Sequence, residues 1–143
     1  MLVRKILGEK ADLEVFSVSP DDTVDTAIKI LSKNRIGTVV VLNDGKLAGI
    51  LSERDIVRDL GKSGAATLTK TVSELMTADI TTCTQADKSD AVLQMMSDGR
   101  FRHLPVLEDD TLIGLISIGD VVKAQLSELA MEKDALEGMI RGH

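Results

Sequence analysis

A chain of 143 residues is long enough to bury a real core and short enough that one compact body is expected. Its 43% apolar content argues against disorder, and 23 acidic against 17 basic side chains, a net charge of -6, argue against a general binder of polymeric nucleic acid, which relies on clustered cations. Cys83 is the single cysteine, so an intramolecular disulfide is excluded, and no apolar run approaches the ~20 residues that span a bilayer. These features predict a cytoplasmic protein with no membrane segment, in which Cys83 is a structural thiol. The apolar run at Ile6 and Leu7 stops at Gly8 and Glu9, too soon for a signal peptide.

In chain order, residues 1–14 read as an amino-terminal arm or short helical turn. Val15–Val18 reads as a strand closed by Ser19-Pro20. Asp22 or Thr23 then caps a helix whose apolar positions Val24, Ala27, Ile28 and Leu31 recur at three and four residues, and which runs out near Asn34. The β-branched run Thr38–Leu42, the turn Asn43-Asp44-Gly45 and the run Leu47–Leu51 predict a hairpin. Ser52 caps the next helix, Glu53–Leu60, with Asp55 at its third position.

Gly61–Ala66, rich in small residues, is expected to be a connector, and Thr71–Met76 a short capped turn. Asp79–Cys83 reads as a strand, Asp87–Asp98 as a helix with Val92, Leu93 and Met96 on its apolar face, and Leu104–Leu107 with Leu112–Ile116 as a second hairpin. A long closing helix follows, with an apolar stripe of Val121, Val122, Leu126, Leu129, Leu136 and Ile140. That stripe fits either the chain's own amino arm or the same helix of a second chain. We therefore divide the chain into the arm, a first repeat over 15–60, a connector over 61–76 and a second repeat over 77–143.

Both repeats read as strand, helix, strand, strand, helix, and at an offset of 65 residues they align without a gap from Ser17/Thr82 to Asp59/Ala124. Twelve of the 43 pairs are identical, among them Arg35/Arg100, Gly49/Gly114, Ser52/Ser117 and Asp55/Asp120. This is a duplicated unit.

Catalytic patterns are missing. The histidines are His103 and His143, too few for a histidine metal cluster, and no G-x-S-x-G elbow occurs. Gly61-Lys62-Ser63 would need glycine at position 56 to complete a phosphate loop, and Ile56 stands there. The chain is not expected to be an enzyme. What repeats is a carboxylate in the first turn of a helix directly after an apolar strand, at Asp55 and Asp120. Such a rim accepts the two hydrogen bonds of a vicinal diol, while the Ser52 and Ser117 hydroxyls and the first-turn amides suit a phosphate. The same spacing is also that of a plain helix cap, and both readings stand at this point. Arg35 and Arg100 end the first helices and suit a helix-terminus role. With two aromatics, Phe16 and Phe101, stacking on single-stranded nucleic acid is poorly supported. A base would instead lie among Val18, Val39 and Ile50 in a first cleft, and among Ile80, Pro105 and Leu115 in a second.

The endings Gly49-Ile50-Leu51-Ser52-Glu53-Arg54-Asp55 and Gly114-Leu115-Ile116-Ser117-Ile118-Gly119-Asp120, with Arg102-His103-Leu104-Pro105-Val106 before the second hairpin, resemble the cystathionine-beta-synthase (CBS) domain in tandem, a Bateman module. The resemblance covers Ser17 to Lys123. It implies an α/β fold of the α+β kind, two β-α-β-β-α repeats packed about a pseudo-twofold axis. It also implies two clefts for an adenine nucleotide, AMP first, with NAD(H), ADP or ATP next, and a homodimer that signals to a regulated protein. By motif position it assigns ribose to Asp55 and Asp120, and phosphate or ribose to Ser52 and Ser117. The base pocket and phosphate path fall to Gly37, Thr38, Val39, Arg102, His103, Leu104 and Pro105. The first repeat departs from the pattern, with Thr38 at the position of His103 and Val40 at that of Pro105, while Arg54 and Arg58 supply cations near Asp55. The rival reading is an interaction module with empty clefts, held together by the closing helix.

Overall fold

The computed structural model describes residues 1–10 and 14–141. Its elements run α1 (Val3–Glu9), β1 (Ser17–Val18), α2 (Val24–Asn34), β2 (Thr38–Asn43), β3 (Lys46–Ser52) and α3 (Glu53–Ser63). A 3-10 helix (Gly64–Thr69) follows, then α4 (Val72–Leu75), α5 (Ser89–Gly99), β4 (His103–Glu108), β5 (Thr111–Ser117) and α6 (Ile118–Ile140). The backbone divides into two compact units. One holds residues 14–81 and 109–112, the other the described residues of 1–13, 82–108 and 113–143.

In the first unit, Thr23 caps α2 by accepting the Thr26 amide, and Arg35 ends it in the left-handed conformation, φ 53°. β2 pairs antiparallel with β3, Val39 opposite Leu51, through a turn at Asp44 (φ 51°) and Gly45 (φ 80°). Positive φ at both central residues matches the right-handed twist of the strands, and Asp and Gly are residue types that tolerate it. β1 lies parallel to β2, Ser17 beside Val40. Val18, Val24, Ala27, Leu31, Val39, Val41, Leu51, Ile56 and Val72 form the core.

The second repeat has the same helix and hairpin, with Arg100 ending α5 at φ 55° and Asp109 and Asp110 (φ 48° and 65°) in the turn. Its expected first strand is not formed. Residues 79–83 contribute one parallel bridge, Cys83 to Val106, held by the Cys83 amide on the Pro105 carbonyl at 3.0 Å and the Leu107 amide on the Cys83 carbonyl at 2.8 Å. The reason is Pro105. In the first repeat the Val40 amide donates to the Phe16 carbonyl at 3.1 Å; the matching residue, Pro105, has no amide hydrogen, so the ladder stops after one rung.

The expected connector also differs. Residues 61–63 continue α3 and residues 64–69 form the 3-10 turn. Asp59 holds this segment, accepting the Thr67 hydroxyl at 2.7 Å and the Lys70 ammonium at 3.1 Å. Thr67 is fully buried, so a segment that looks like a linker by composition is anchored.

Helix α1 belongs to the core of the second unit. Val3, Ile6 and Leu7 pack with Cys83, Val92, Met96, Leu104, Val106, Ile116, Val121 and Ala124. The Val3 amide donates to the Asp87 carbonyl at 2.9 Å, and the Ser89 amide to the Met1 carbonyl at 2.8 Å. In the first unit α4 fills the same place, with the Val24 amide on the Lys70 carbonyl at 2.9 Å and the Val72 amide on the Asp22 carbonyl at 2.8 Å. A short helix thus covers each hairpin at its glycine. A Cβ on Gly49 would lie 2.7 Å from the Met76 sulfur and 2.9 Å from the Thr77 carbonyl oxygen, and one on Gly114 would lie 2.9 Å from Leu7. Glycine stands at both positions because another segment presses on the strand there.

Only the start of α6 is covered: Val121 and Ala124 are buried, while Leu126, Leu129, Leu136 and Ile140 are exposed. The expected packing on the chain's own amino-terminal segment therefore holds for the start of the helix. Its first turns contact α1, and its later apolar side chains face outward. Among the described residues no helix is long and apolar enough to cross a membrane.

Candidate functional site

Each repeat ends its hairpin in a reciprocal cap. In the first, the Asp55 amide donates to Ser52 Oγ at 3.3 Å, while Asp55 Oδ2 accepts the Ser52 amide at 2.9 Å and the Ser52 hydroxyl at 3.0 Å. In the second, the Asp120 amide donates to Ser117 Oγ at 3.0 Å and Asp120 Oδ2 accepts the Ser117 amide at 2.8 Å. The local cap is therefore real in both copies. It does not exhaust a carboxylate, which offers about four lone-pair sites, and both aspartates remain only partly buried.

The first-turn amides are less available than the sequence suggests. The Glu53 amide donates to the Gly37 carbonyl and the Ile118 amide to the Arg102 carbonyl, each at 2.9 Å. With the Asp55 and Asp120 amides engaged by the serines, the intervening amides of Arg54 and Gly119 are the ones these bonds leave for an anion. The segment entering the second strand of each repeat is in this way tied to the rim: Gly37-Thr38 to the start of α3, and Arg102-His103 to the start of α6.

The remaining expected residues fall into three groups. Val18, Val39 and Leu104 are buried in the two cores, so a ligand beside them would meet their main chain rather than their side chains. Thr38 and Pro105 are buried at the starts of β2 and β4, with His103 half-buried beside Pro105. Arg54, Arg58 and Arg102 are exposed. Arg54 and Arg58 lie one turn apart on α3 and line a shallow pocket of about 450 Å3 with Glu53 and Val57. Ile80, which the sequence reading groups with Pro105 and Leu115, falls in the first unit, and those two fall in the second.

One residue at the second rim was missed. Lys10 donates from Nζ to Asp120 Oδ2 at 2.9 Å and to the Leu115 carbonyl at 2.7 Å. A groove of about 570 Å3 between α1 and α6 adjoins this contact, lined in part by Lys10, Asp120, Lys123 and Ser127. The only sequence signal is a faint likeness between Leu2–Leu7 and Thr71–Met76, offset by 69 residues, which places Asp79 where the first repeat would need a lysine.

Burial pushes the Asp120 carboxyl up, but the hydrogen bonds from Ser117 and Lys10, with the lysine's charge, outweigh it and hold the group below its ordinary 3.8. A carboxyl that is more acidic when folded stabilises the protein above its unfolded value and loses that contribution as pH falls through its native one. Lys10→Met is accordingly expected to lower the urea midpoint at pH 7, and the difference from wild type should shrink below about pH 4. A difference independent of pH would show that the ion pair is not its source.

Cys83 is 2% exposed, and burial, then the charge of Asp87, pushes its thiol up to about 12. Native protein at pH 8 should leave an aromatic disulfide reagent unreacted over the time in which urea-unfolded protein reacts fully. Rapid native labelling would contradict a structural thiol. Among the described residues no group of three His, Cys, Asp or Glu side chains is placed to hold a metal ion.

Two hairpin-helix repeats, each ending in the same Ser-x-x-Asp cap, define a tandem repeat domain, and comparison identifies the family. The CBS domain model matches residues 10–62 and 72–127, and the chain belongs to that family as a tandem pair. It is 41% identical to the CBS-domain containing protein ATU1752 from Agrobacterium tumefaciens, whose crystal structure superposes with a TM-score of 0.84 over 87% of this chain and 99% of that one. It is 37% identical to the CBS domain-containing protein CBSX3, mitochondrial, of Arabidopsis thaliana, over 98% of this chain and 70% of that protein. The CBS domain pair of protein MJ0100, crystallised with 5-methylthioadenosine and S-adenosyl-L-methionine, matches at 25% identity with a TM-score of 0.77, over 90% of this chain and 98% of that one.

Proposed function

We propose that the chain is a regulatory module that binds an adenine nucleotide, AMP in the first place and NAD(H), ADP or ATP next, and relays its occupancy to a regulated protein. The observation that carries this reading is the twin rim, an Asp carboxylate held by its own serine at the end of β3 and again at the end of β5. Asp55 and Asp120 take the ribose hydroxyls, and Ser52 and Ser117 contact ribose or phosphate. At the first rim Arg54 and Arg58 supply the phosphate side, with Thr38 and the main chain of Val39 toward the base; at the second Arg102 and His103 supply the phosphate side, with Pro105 and the main chain of Leu104 toward the base. The adenosine-containing ligands of the MJ0100 pair support an adenosine ligand class here. The module is regulatory rather than catalytic, and we place it in the cytoplasm.

The exposed apolar side chains of α6, with Leu136 60% and Ile140 85% exposed, favour a homodimer. They also give the rival reading, an interaction module with empty clefts, its specific support. Native mass spectrometry in the presence of AMP separates the two. A dimer whose mass rises by whole AMP increments is expected; a dimer that stays bare would transfer the function to α6.

A further inference from the structure

We propose that Lys10 gates the second rim, its ammonium holding Asp120 Oδ2 so that a ribose diol competes there with the side chain of Lys10. This rests on the assignment of Asp120 to a diol. The argument is one of shared acceptors. Lys10 Nζ is 2.9 Å from Asp120 Oδ2 and 2.7 Å from the Leu115 carbonyl oxygen, so one ammonium engages both the carboxylate and a main-chain acceptor of the strand leading to it. At the first rim Asp55 Oδ2 is held by the Ser52 amide and hydroxyl, and among the described residues no lysine pairs with it. The residue that corresponds to Lys10 there, Asp79, is an exposed acidic side chain in place of a basic one.

The two rims are therefore unequal before any ligand arrives. At Asp55 a diol meets a carboxylate held by its own serine, whereas at Asp120 it competes with a charged partner delivered by the chain itself. Because α1 lies in the core of the second unit and Lys10 follows it directly, the ammonium is held at high local concentration. The competition is still modest, since Lys10 and Asp120 side chains are 22% and 26% exposed and a partly exposed pair is weak. The adjoining groove, with Ser127 on its wall, gives the displaced lysine a place to go.

The test is a calorimetric titration of full-length wild type, Lys10→Met and the double variant Lys10→Met/Asp120→Ala with AMP. Methionine keeps the apolar stem and removes the charge; Lys10→Gln serves as a second variant, and circular dichroism verifies that each is folded. Wild type should bind one equivalent tightly and another more weakly. Lys10→Met should strengthen the weaker site by up to about fivefold, the scale of a partly exposed ion pair. That gain should vanish in the double variant. A weaker site that is unchanged or weakened in Lys10→Met would overturn the gate while leaving nucleotide binding in place, as would a gain that survives loss of Asp120. Absence of AMP binding in wild type and variants alike would overturn both the gate and the nucleotide reading.

Discussion

Leu104→Ala is expected to destabilise the protein by about 2–5 kcal/mol, the range for deleting most of a buried leucine without collapse of the space it leaves. The motif places Leu104 beside a base pocket. Its side chain, however, is 0% exposed and packs in the cluster of Ile6, Val92, Met96, Val106 and Ile116. These neighbours come from α1, α5, β4 and β5, so no single movement fills the cavity. Urea unfolding at pH 7 measures the loss directly. Part of a marginal stability of roughly 5–15 kcal/mol would disappear with one side chain. A loss under about 1 kcal/mol accompanied by weakened AMP binding would place Leu104 at the ligand instead of the core.

Asp55→Ala carries the largest expected effect on binding. A charge-assisted hydrogen bond contributes about 1.5–3 kcal/mol, so losing the carboxylate should weaken AMP at the first rim roughly ten- to a hundredfold. The same substitution removes a cap: Asp55 Oδ2 no longer receives the Ser52 amide and hydroxyl, which is expected to lower stability by about 1 kcal/mol. Asp55→Asn separates these effects, because it keeps an acceptor for the cap while losing the charge. Calorimetry should show both variants weakened and urea unfolding should show the alanine variant as the less stable. If AMP affinity is unaltered in both, Asp55 is a helix cap and nothing more.

The repeat, the two hairpins and both caps were legible because each depends on residues near one another in the chain. Ser52 and Asp55 are three apart, and so are Ser117 and Asp120, which is the spacing at which a serine oxygen and a carboxylate can exchange bonds across one helical turn. Asp44-Gly45 and Asp109-Asp110 tolerate positive φ, and the apolar runs beside them alternate or bury as strands do. The loss of the first strand in the second repeat was also written locally, in the missing amide of Pro105. It was overlooked because its consequence appears only when the matching bond of Val40 to Phe16 is seen.

Other features had no local signal. Gly61–Ala66 reads as a connector by composition, yet Asp59, Thr67 and Lys70 bind the segment into helix and 3-10 turn, since a buried hydroxyl has to find a partner. The amino-terminal arm showed too little periodicity to announce that Val3, Ile6 and Leu7 complete the core of the second repeat. Lys10 lies 105 residues from Leu115 and 110 from Asp120. The sequence by itself determined the duplicated fold and the two carboxylate rims, because short-range spacing dictates turns, caps and amphipathic faces. Only the tertiary structure decided which rim carries a lysine, because that pairing follows from how distant segments bury their apolar faces together.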